Sequence, residues 1–326
     1  MSMTTRVSRW AAVALAASSS VAFTQAALAQ AYPSKPVRTL VTISGVGEAL
    51  CRLVGQEMAK NMGVPAIVEA MPGAGGSVAV ETAMKSAPDG YTLLSANPGT
   101  HVMRQFLSKA ISFDPIKDFT PITLAWETIA IVGVHPSLPV NNFKELLEYA
   151  KRNPGKLSYG TSGVGTSHHM ASELVKLRTG VDMVHVPYKS GAQSYGDLIS
   201  GQIPVLYGVL AQLGPGARAG KLRMIALQND RRYPPAGVAP IRDTVPDYTS
   251  PPWWTSYYGP AGMPEPIVRR VNAEILKAIN APEVKTKLDE AGFLVIGSSP
   301  EELATTMKSD IERMAVVVKA AGIVPE

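Results

Sequence analysis

The chain has 326 residues, 46% hydrophobic and 17% charged, enough apolar material for one large or two ordinary domains with sizeable cores. Its 31 Lys and Arg against 26 Asp and Glu leave a formal charge of +5 with no basic run, which excludes the electrostatic footprint of a nucleic-acid binder. The single cysteine, Cys51, excludes an intramolecular disulfide, and its place in a helical pattern between Leu50 and Leu53 reads as a buried, inert thiol.

Residues 1–29 read as a secretory leader. Arg6 and Arg9 make a positive start, Ala11 to Phe23 is an uncharged apolar core, and Ala27-Leu-Ala29 is a small-x-small cleavage site. The apolar core has 13 residues, too few to span a bilayer. The mature chain is expected to start near Gln30 and to be free in the periplasm of a Gram-negative cell. Loss of Arg6 and Arg9 with no acid lowers the formal charge by two, from +5 to +3. That is compatible with an anionic small ligand and decides nothing alone.

Val37 to Ile43, rich in β-branched residues, predicts a strand, and Ser44-Gly-Val-Gly47 a turn. Apolar residues at 50, 53, 54, 58 and 62 predict a helix over Glu48 to Met62. A strand at Ala66 to Glu69, the glycine loop Pro72-Gly-Ala-Gly-Gly76 and a helix over Val78 to Ala87 follow. Then come a strand at Tyr91 to Ser95 and the polar loop Asn97-Pro-Gly-Thr100. Strand, small-residue loop and helix in repetition predict an α/β fold with mainly parallel sheets and a ligand crevice at the carboxyl ends of the strands.

Ile122 to Val134 is a long apolar run without caps and reads as a strand passing between domains. Asn142 to Lys151 is a helix that Asn141 or Asn142 can cap. Leu157 to Gly160 is a strand that ends in Thr161-Ser-Gly-Val-Gly-Thr-Ser167, and the helical pattern Met170, Leu174, Val175, Leu177 starts directly after it. This loop therefore brings hydroxyls and free N–H groups to a helix N-terminus, an anion seat or an ordinary cap. It lacks a P-loop ending and the third glycine of a dinucleotide fingerprint.

Further on, Val181 to Val186 reads as a strand and Gly191 to Ser200 as a helix. Gln202 to Val209 is a strand interrupted by Pro204, Gly214 to Gly220 a loop, and Leu222 to Leu227 a strand. Pro234 to Pro252 is proline-rich and aperiodic. Trp253, Trp254, Tyr257 and Tyr258 precede a turn and read as core or hinge packing, with stacking on a ligand ring as the alternative. Helices over Pro266 to Ala278 and Pro300 to Ala321 close the chain.

A hydrolase built on Ser162 or Ser167 with His168 or His169 is the enzymatic alternative. No Gly-x-Ser-x-Gly elbow supports it, and the five histidines (101, 135, 168, 169, 185) show no zinc spacing. No catalysis, metal or cofactor is expected.

The chain resembles the Bug or TctC family, the solute receptors of tripartite tricarboxylate transporters. The resemblance rests on Tyr32-Pro-Ser-Lys-Pro36, Pro72 to Gly76, Ala87-Pro-Asp-Gly-Tyr-Thr-Leu93, Asp114-Pro-Ile-Lys-Asp-Phe119, Tyr159 to Ser167, His185-Val-Pro-Tyr-Lys189, Ala219-Gly-Lys-Leu-Arg223 and Pro260-Ala-Gly-Met-Pro264. It implies a two-lobed periplasmic binding protein of type II, each lobe a mostly parallel sheet flanked by helices. Lobe one would hold 30–131 plus 252–326 and lobe two 132–251. The implied ligand is a small organic anion, a di- or tricarboxylate or an aromatic carboxylate, taken to permease subunits of the transporter by a monomeric receptor. A sensor that docks on a signalling partner is the alternative.

Carried over by motif, the ligand contacts are Ser44, Gly45, Gly47 and Glu48, then Ala96, Asn97 and Thr100, then Ser162, Gly165, Thr166, Ser167 and His168, then Tyr188 and Lys189. Three departures concern the ligand. The first loop, Thr42 to Glu48, is about two residues shorter than the family pattern Pro-Phe-x-x-Gly-Gly-x-x-Asp. Ala70-Met71 replaces the common Asn-Arg pair. Tyr207-Gly208 stands where a Phe-Asp pair is usual, so Gly208 removes a pocket carboxylate and leaves room for a larger apolar body.

Overall fold

The structure, a computed structural model, describes residues 32–189 and 191–325. The expected leader, residues 1–29, lies outside the described residues. β1 (Val37–Val41), β2 (Ala66–Ala70) and β3 (Thr92–Ala96) pair in parallel, with β1 between the others. Each returns through the helices α1 (Val46–Met62) and α2 (Ser77–Met84), as parallel pairing requires. A π-helical turn (Gly99–Met103) and the short α3 (Arg104–Leu107) replace the simple loop expected after β3.

β4 (Phe119–Thr128) belongs to this first sheet, and β5 (Ala130–Val134) to a second. The long apolar run is thus two strands, and the chain passes from body to body at Ile129. Asn229 clamps this crossing. Its Oδ1 accepts from the Ala130 N–H at 2.8 Å and its Nδ2 donates to the Thr128 carbonyl at 2.9 Å.

α4 (Phe143–Arg152) is capped by Asn142, which accepts from the Glu145 N–H. β6 (Ser158–Thr161), α5 (Ser167–Thr179), β7 (Val184–Pro187), α6 (Gly191–Ile199), β8 (Val205–Val209), α7 (Leu210–Arg218) and β9 (Arg223–Leu227) complete the second body. Its sheet order is β7-β6-β8-β5-β9. Residues 214–218, expected as loop, lie in α7 with Pro215 inside. Tertiary packing overrides their poor helix propensity: Leu213 is fully buried, and a Cβ at Gly216 would come within 2.6 Å of the Tyr195 hydroxyl.

The chain returns through Pro251 and Pro252 into β10 (Trp254–Pro260), followed by α8 (Glu265–Ile279), α9 (Pro282–Glu290), β11 (Phe293–Val295) and α10 (Pro300–Ala320). The first sheet runs β11-β4-β10-β3-β1-β2. β10, α9 and β11 are absent from the sequence reading. β10 is buried at every residue, so it shows no alternation.

Both sheets are mixed rather than parallel throughout. β10 is antiparallel to β3 and β4, β11 to β4, and β5 to β8 and β9. The strands that follow the two crossings, β5 and β10, arrive without a helical crossover in their own sheet, so nothing imposes parallel pairing on them. Cys51 is buried as expected, 3.3 Å from the Ser95 hydroxyl, and burial raises its pKa.

Candidate functional site

A cavity of about 320 Å³ lies between the two bodies. The first body lines it with Ile43 and Gly47, with Asn97, Pro98 and Gly99 after β3, and with Thr128, Thr255 and Phe293. The second contributes Ser162, Thr166, Ser167, His168 and Val209. Pro252, Trp253 and Trp254, at the second crossing, form the wall between them.

Two helices of full length begin at this cavity. α1 starts after Gly45, whose φ of 78° suits glycine, and brings Gly47 in its first turn to the lining. α5 starts after Thr166, whose hydroxyl accepts from the His169 N–H at 3.4 Å and donates to the Gly163 carbonyl at 2.8 Å. The first N–H groups of a helix have no intrahelical acceptor, so both ends turn free donors and the positive pole of the dipole to one cleft. The Ser167 hydroxyl donates to the Pro252 carbonyl at 2.8 Å and ties α5 to the crossing.

Two histidines, His169 buried and His185 half-buried, stiffen the second-body loop. His169 Nδ1 accepts from the Gly165 N–H at 3.1 Å and its ring stacks on His185 at 4.2 Å. His185 Nε2 meets the Thr161 hydroxyl at 2.7 Å. Burial lowers both pKa values, that of His185 to about 4, so both rings are neutral at pH 7.

Among the described residues that line the cleft, His168 is the one titratable side chain, with no Asp, Glu, Lys or Arg beside it. Its Nδ1 lies 2.8 Å from the Ser162 hydroxyl, and its ring sits 4.9 Å from Trp253. Its Nε2 is buried without a hydrogen bond. Burial holds the imidazole down at about 4, and the Gly208 backbone pulls the other way. The indole N–H groups are already occupied: Trp253 donates to Ser250 Oγ at 2.7 Å and Trp254 to Asp310 Oδ2 at 2.8 Å. The two rings therefore offer the cleft apolar surface.

Of the residues expected to contact ligand, the structure brings Gly47, Asn97, Ser162, Thr166, Ser167 and His168 to this cavity. The others lie outside its lining. Ser44 and Gly45 are exposed on the first loop, and Glu48 turns to Arg52 one helical turn on, 2.7 Å away. Ala96 is core. Thr100 is buried, bonding the Asn97 carbonyl at 3.0 Å. Gly165 packs against Leu107 of the first body. Tyr188 is buried with its hydroxyl on Asp197 at 2.8 Å, and Lys189 is exposed. Gly208 lies on β8, where its carbonyl accepts from Gln228 Nε2 at 3.1 Å. Thr128, Val209, Thr255 and Phe293 were not anticipated. They sit on strands or strand ends and carry no local signal.

A second cavity, of about 370 Å³, shares Pro252, Trp253 and Trp254 with the cleft. It is lined by Glu127, Asp230, Arg231, Arg242, Asp310 and Arg313 among others. Its charges largely answer one another, through Arg313 with Asp310 and Arg231 with Glu127.

Residues 50–323 match the family described as the tripartite tricarboxylate transporter family receptor. The chain belongs to this family. The family is one of solute receptors rather than enzymes, which speaks against a hydrolase dyad at Ser162 and His168. The receptor is similar to the UPF0065 protein in the tcbD-tcbE intergenic region of a Pseudomonas sp., with 31% identity over 93% of this chain and 90% of that protein. Among solved structures it resembles an R. palustris protein with adipate, at TM-score 0.76 and 30% identity over 90% of this chain and 100% of that one. It also resembles a structure described as a periplasmic transporter, at TM-score 0.75 and 36% identity over 90% and 99%.

Proposed function

We propose that this receptor captures a small carboxylate with an apolar, planar body, an aromatic acid before a citrate-like tricarboxylate. The observation that carries this reading is the lining of the cleft. The N-termini of α1 and α5 open into it, it holds no carboxylate and no Lys or Arg, and Trp253, Trp254, Phe293, Ile43 and Val209 form its apolar surface. Helix N-termini and hydroxyls suit one carboxylate, each helix end contributing about 0.3–1 kcal/mol and up to ~2 when partly buried. A second or third carboxylate would meet apolar walls. Adipate in the R. palustris relative supports the carboxylate class.

The lobes would hinge at Ile129 and at Pro251 to Trp253, with the first sheet and its helices on one side and the second on the other. Closure excludes water and strengthens each hydrogen bond to the anion. Export through the leader at 1–29 would place the receptor in the periplasm, where its relative's description puts a protein of the same fold, and permease subunits would take the loaded form.

Isothermal titration of unfolded and refolded, ligand-free protein against benzoates, adipate, malate and citrate tests this reading. Benzoates are expected to bind most tightly. Tight binding of citrate with none of benzoate would refute the aromatic preference, and silence across all carboxylates would refute the anion assignment.

A further inference from the structure

Among the described lining residues, an organic anion in this cleft meets dipoles and hydroxyls but no fixed positive charge, and His168 is the only side chain that can supply one. Its two nitrogens are placed unequally. Nδ1 faces the Ser162 hydroxyl at 2.8 Å, and Nε2 is buried without a hydrogen bond. In one neutral tautomer the proton sits on Nε2. Nδ1 then accepts the Ser162 O–H, and Ser162 turns only lone pairs to the cleft, the wrong polarity for a carboxylate. A protonated ring carries N–H on both nitrogens. Nδ1–H then donates to Ser162 Oγ, the hydroxyl rotates, and its proton is free to donate to the ligand.

We propose that the receptor takes up one proton from solvent together with its anionic ligand, on the imidazole of His168, which becomes the cation of the closed cleft. The inference rests on the reading of the cleft as an organic-anion site. The proton goes to His168 and no bond of the ligand changes. Burial keeps the ring neutral at pH 7 while the cleft lacks ligand, and an anion beside it draws the proton back.

The charged groups of the surrounding elements are committed elsewhere. On α5, Glu173 accepts from Lys176 at 2.9 Å and from the Tyr159 hydroxyl at 2.7 Å. His169 serves Gly165, and His185 serves Thr161. Glu127 of β4 and Asp310 and Arg313 of α10 line the second cavity. Lys189 after β7 is exposed, and Asp197 of α6 holds the Tyr188 hydroxyl. On α1, Glu48 and Arg52 pair with each other.

The sign follows from linkage. Ligand binding raises the His168 pKa above its ligand-free value, so affinity for the anion rises as pH falls through the ligand-bound pKa, by up to about tenfold per pH unit, and levels off near the ligand-free value. Carboxylic acids titrate near pH 4, so the useful window is about pH 8 to 5.

The test is calorimetric titration of the refolded receptor with benzoate and with adipate at several pH values, in pairs of buffers with different ionisation heats. Expected are tighter binding at pH 5.5 than at pH 7.5 and net proton uptake approaching one per ligand at the lower pH. His168→Gln is expected to bind more weakly and to lose the pH dependence. Ser162→Ala, which leaves the imidazole in place, is expected to weaken binding and reduce uptake. If His168→Gln does not fold, the imidazole C–H resonances of the wild-type receptor, with and without benzoate, report the same shift of its pKa. Carboxylate binding without proton uptake, or uptake that survives His168→Gln, would overturn the proposal and leave the receptor reading intact. Absence of binding by any carboxylate would overturn both.

Discussion

Gly165→Ala separates the two demands placed on the anion loop. The φ of Gly165 is 75°, and a Cβ there would lie 2.5 Å from Leu107 Cδ2 and 3.0 Å from Cγ. The backbone cost is local to the loop, about 1–2 kcal/mol for a non-glycine residue in the left-handed region. The steric cost is different in kind, because Gly165 lies on the second body and Leu107 on the first. It is felt only when the bodies approach as they do here. Overpacking costs about 1–3 kcal/mol, and the Leu107 end is flexible, so the low end applies. Together these predict a lower urea midpoint and a dissociation constant for the bound carboxylate raised about tenfold. The assay is urea unfolding for the first and calorimetric titration for the second. Adding Leu107→Ala should restore much of the affinity but not the stability. A single variant that binds as tightly as the wild type, or a double variant that recovers nothing, would refute the assignment of this contact to lobe closure.

Asn229→Ala removes both hydrogen bonds that clamp Ile129 and strands the Thr128 carbonyl and Ala130 N–H, so we expect a loss of about 2–3 kcal/mol in urea unfolding. Trp253→Ala should weaken benzoate at least about tenfold and Trp253→Phe much less, as read by titration, because the ring offers the cleft a face while its N–H is held by Ser250. Stability should depend on pH through buried His101 and half-buried His185. Folding lowers the pKa of His101 to about 3 and of His185 to about 4, chiefly by burial. Between those values and the ordinary 6.5 the unfolded chain binds more protons, so stability is full above about pH 6.5 and falls as pH drops toward 4. Melting curves from pH 8 to 4.5 check this; a midpoint flat across that range would contradict it.

Much of the fold was legible because its signals are local. Asn142 caps α4 and Thr166 caps α5 because a short polar side chain before an apolar helical pattern has few other uses. The run from Ile122 to Val134 announced a crossing through its length, though not that Ile129 divides it into strands of two sheets. β10 and α7 were hidden for opposite reasons. β10 is covered on both faces and has no period, and α7 carries glycine and proline that only its neighbours' packing holds helical.

The site divides along the same line. Gly47, Asn97, Ser162, Thr166, Ser167 and His168 belong to loops that follow strands, and a loop of hydroxyls and glycines at a helix start declares its chemistry within a few residues. Glu48, Tyr188 and Lys189 have the same kind of local signal, and only the tertiary structure turned them to Arg52, Asp197 and solvent. Thr128, Val209, Thr255 and Phe293 face the cleft because β4, β8, β10 and β11 end beside it. The sequence by itself determined the hydroxyls and free N–H groups at the helix starts, since those are backbone and side-chain groups of short segments. The tertiary structure alone decided what surrounds those donors, since sheet order brings together residues up to 250 positions apart, and among the described lining residues it left one histidine as the only titratable side chain.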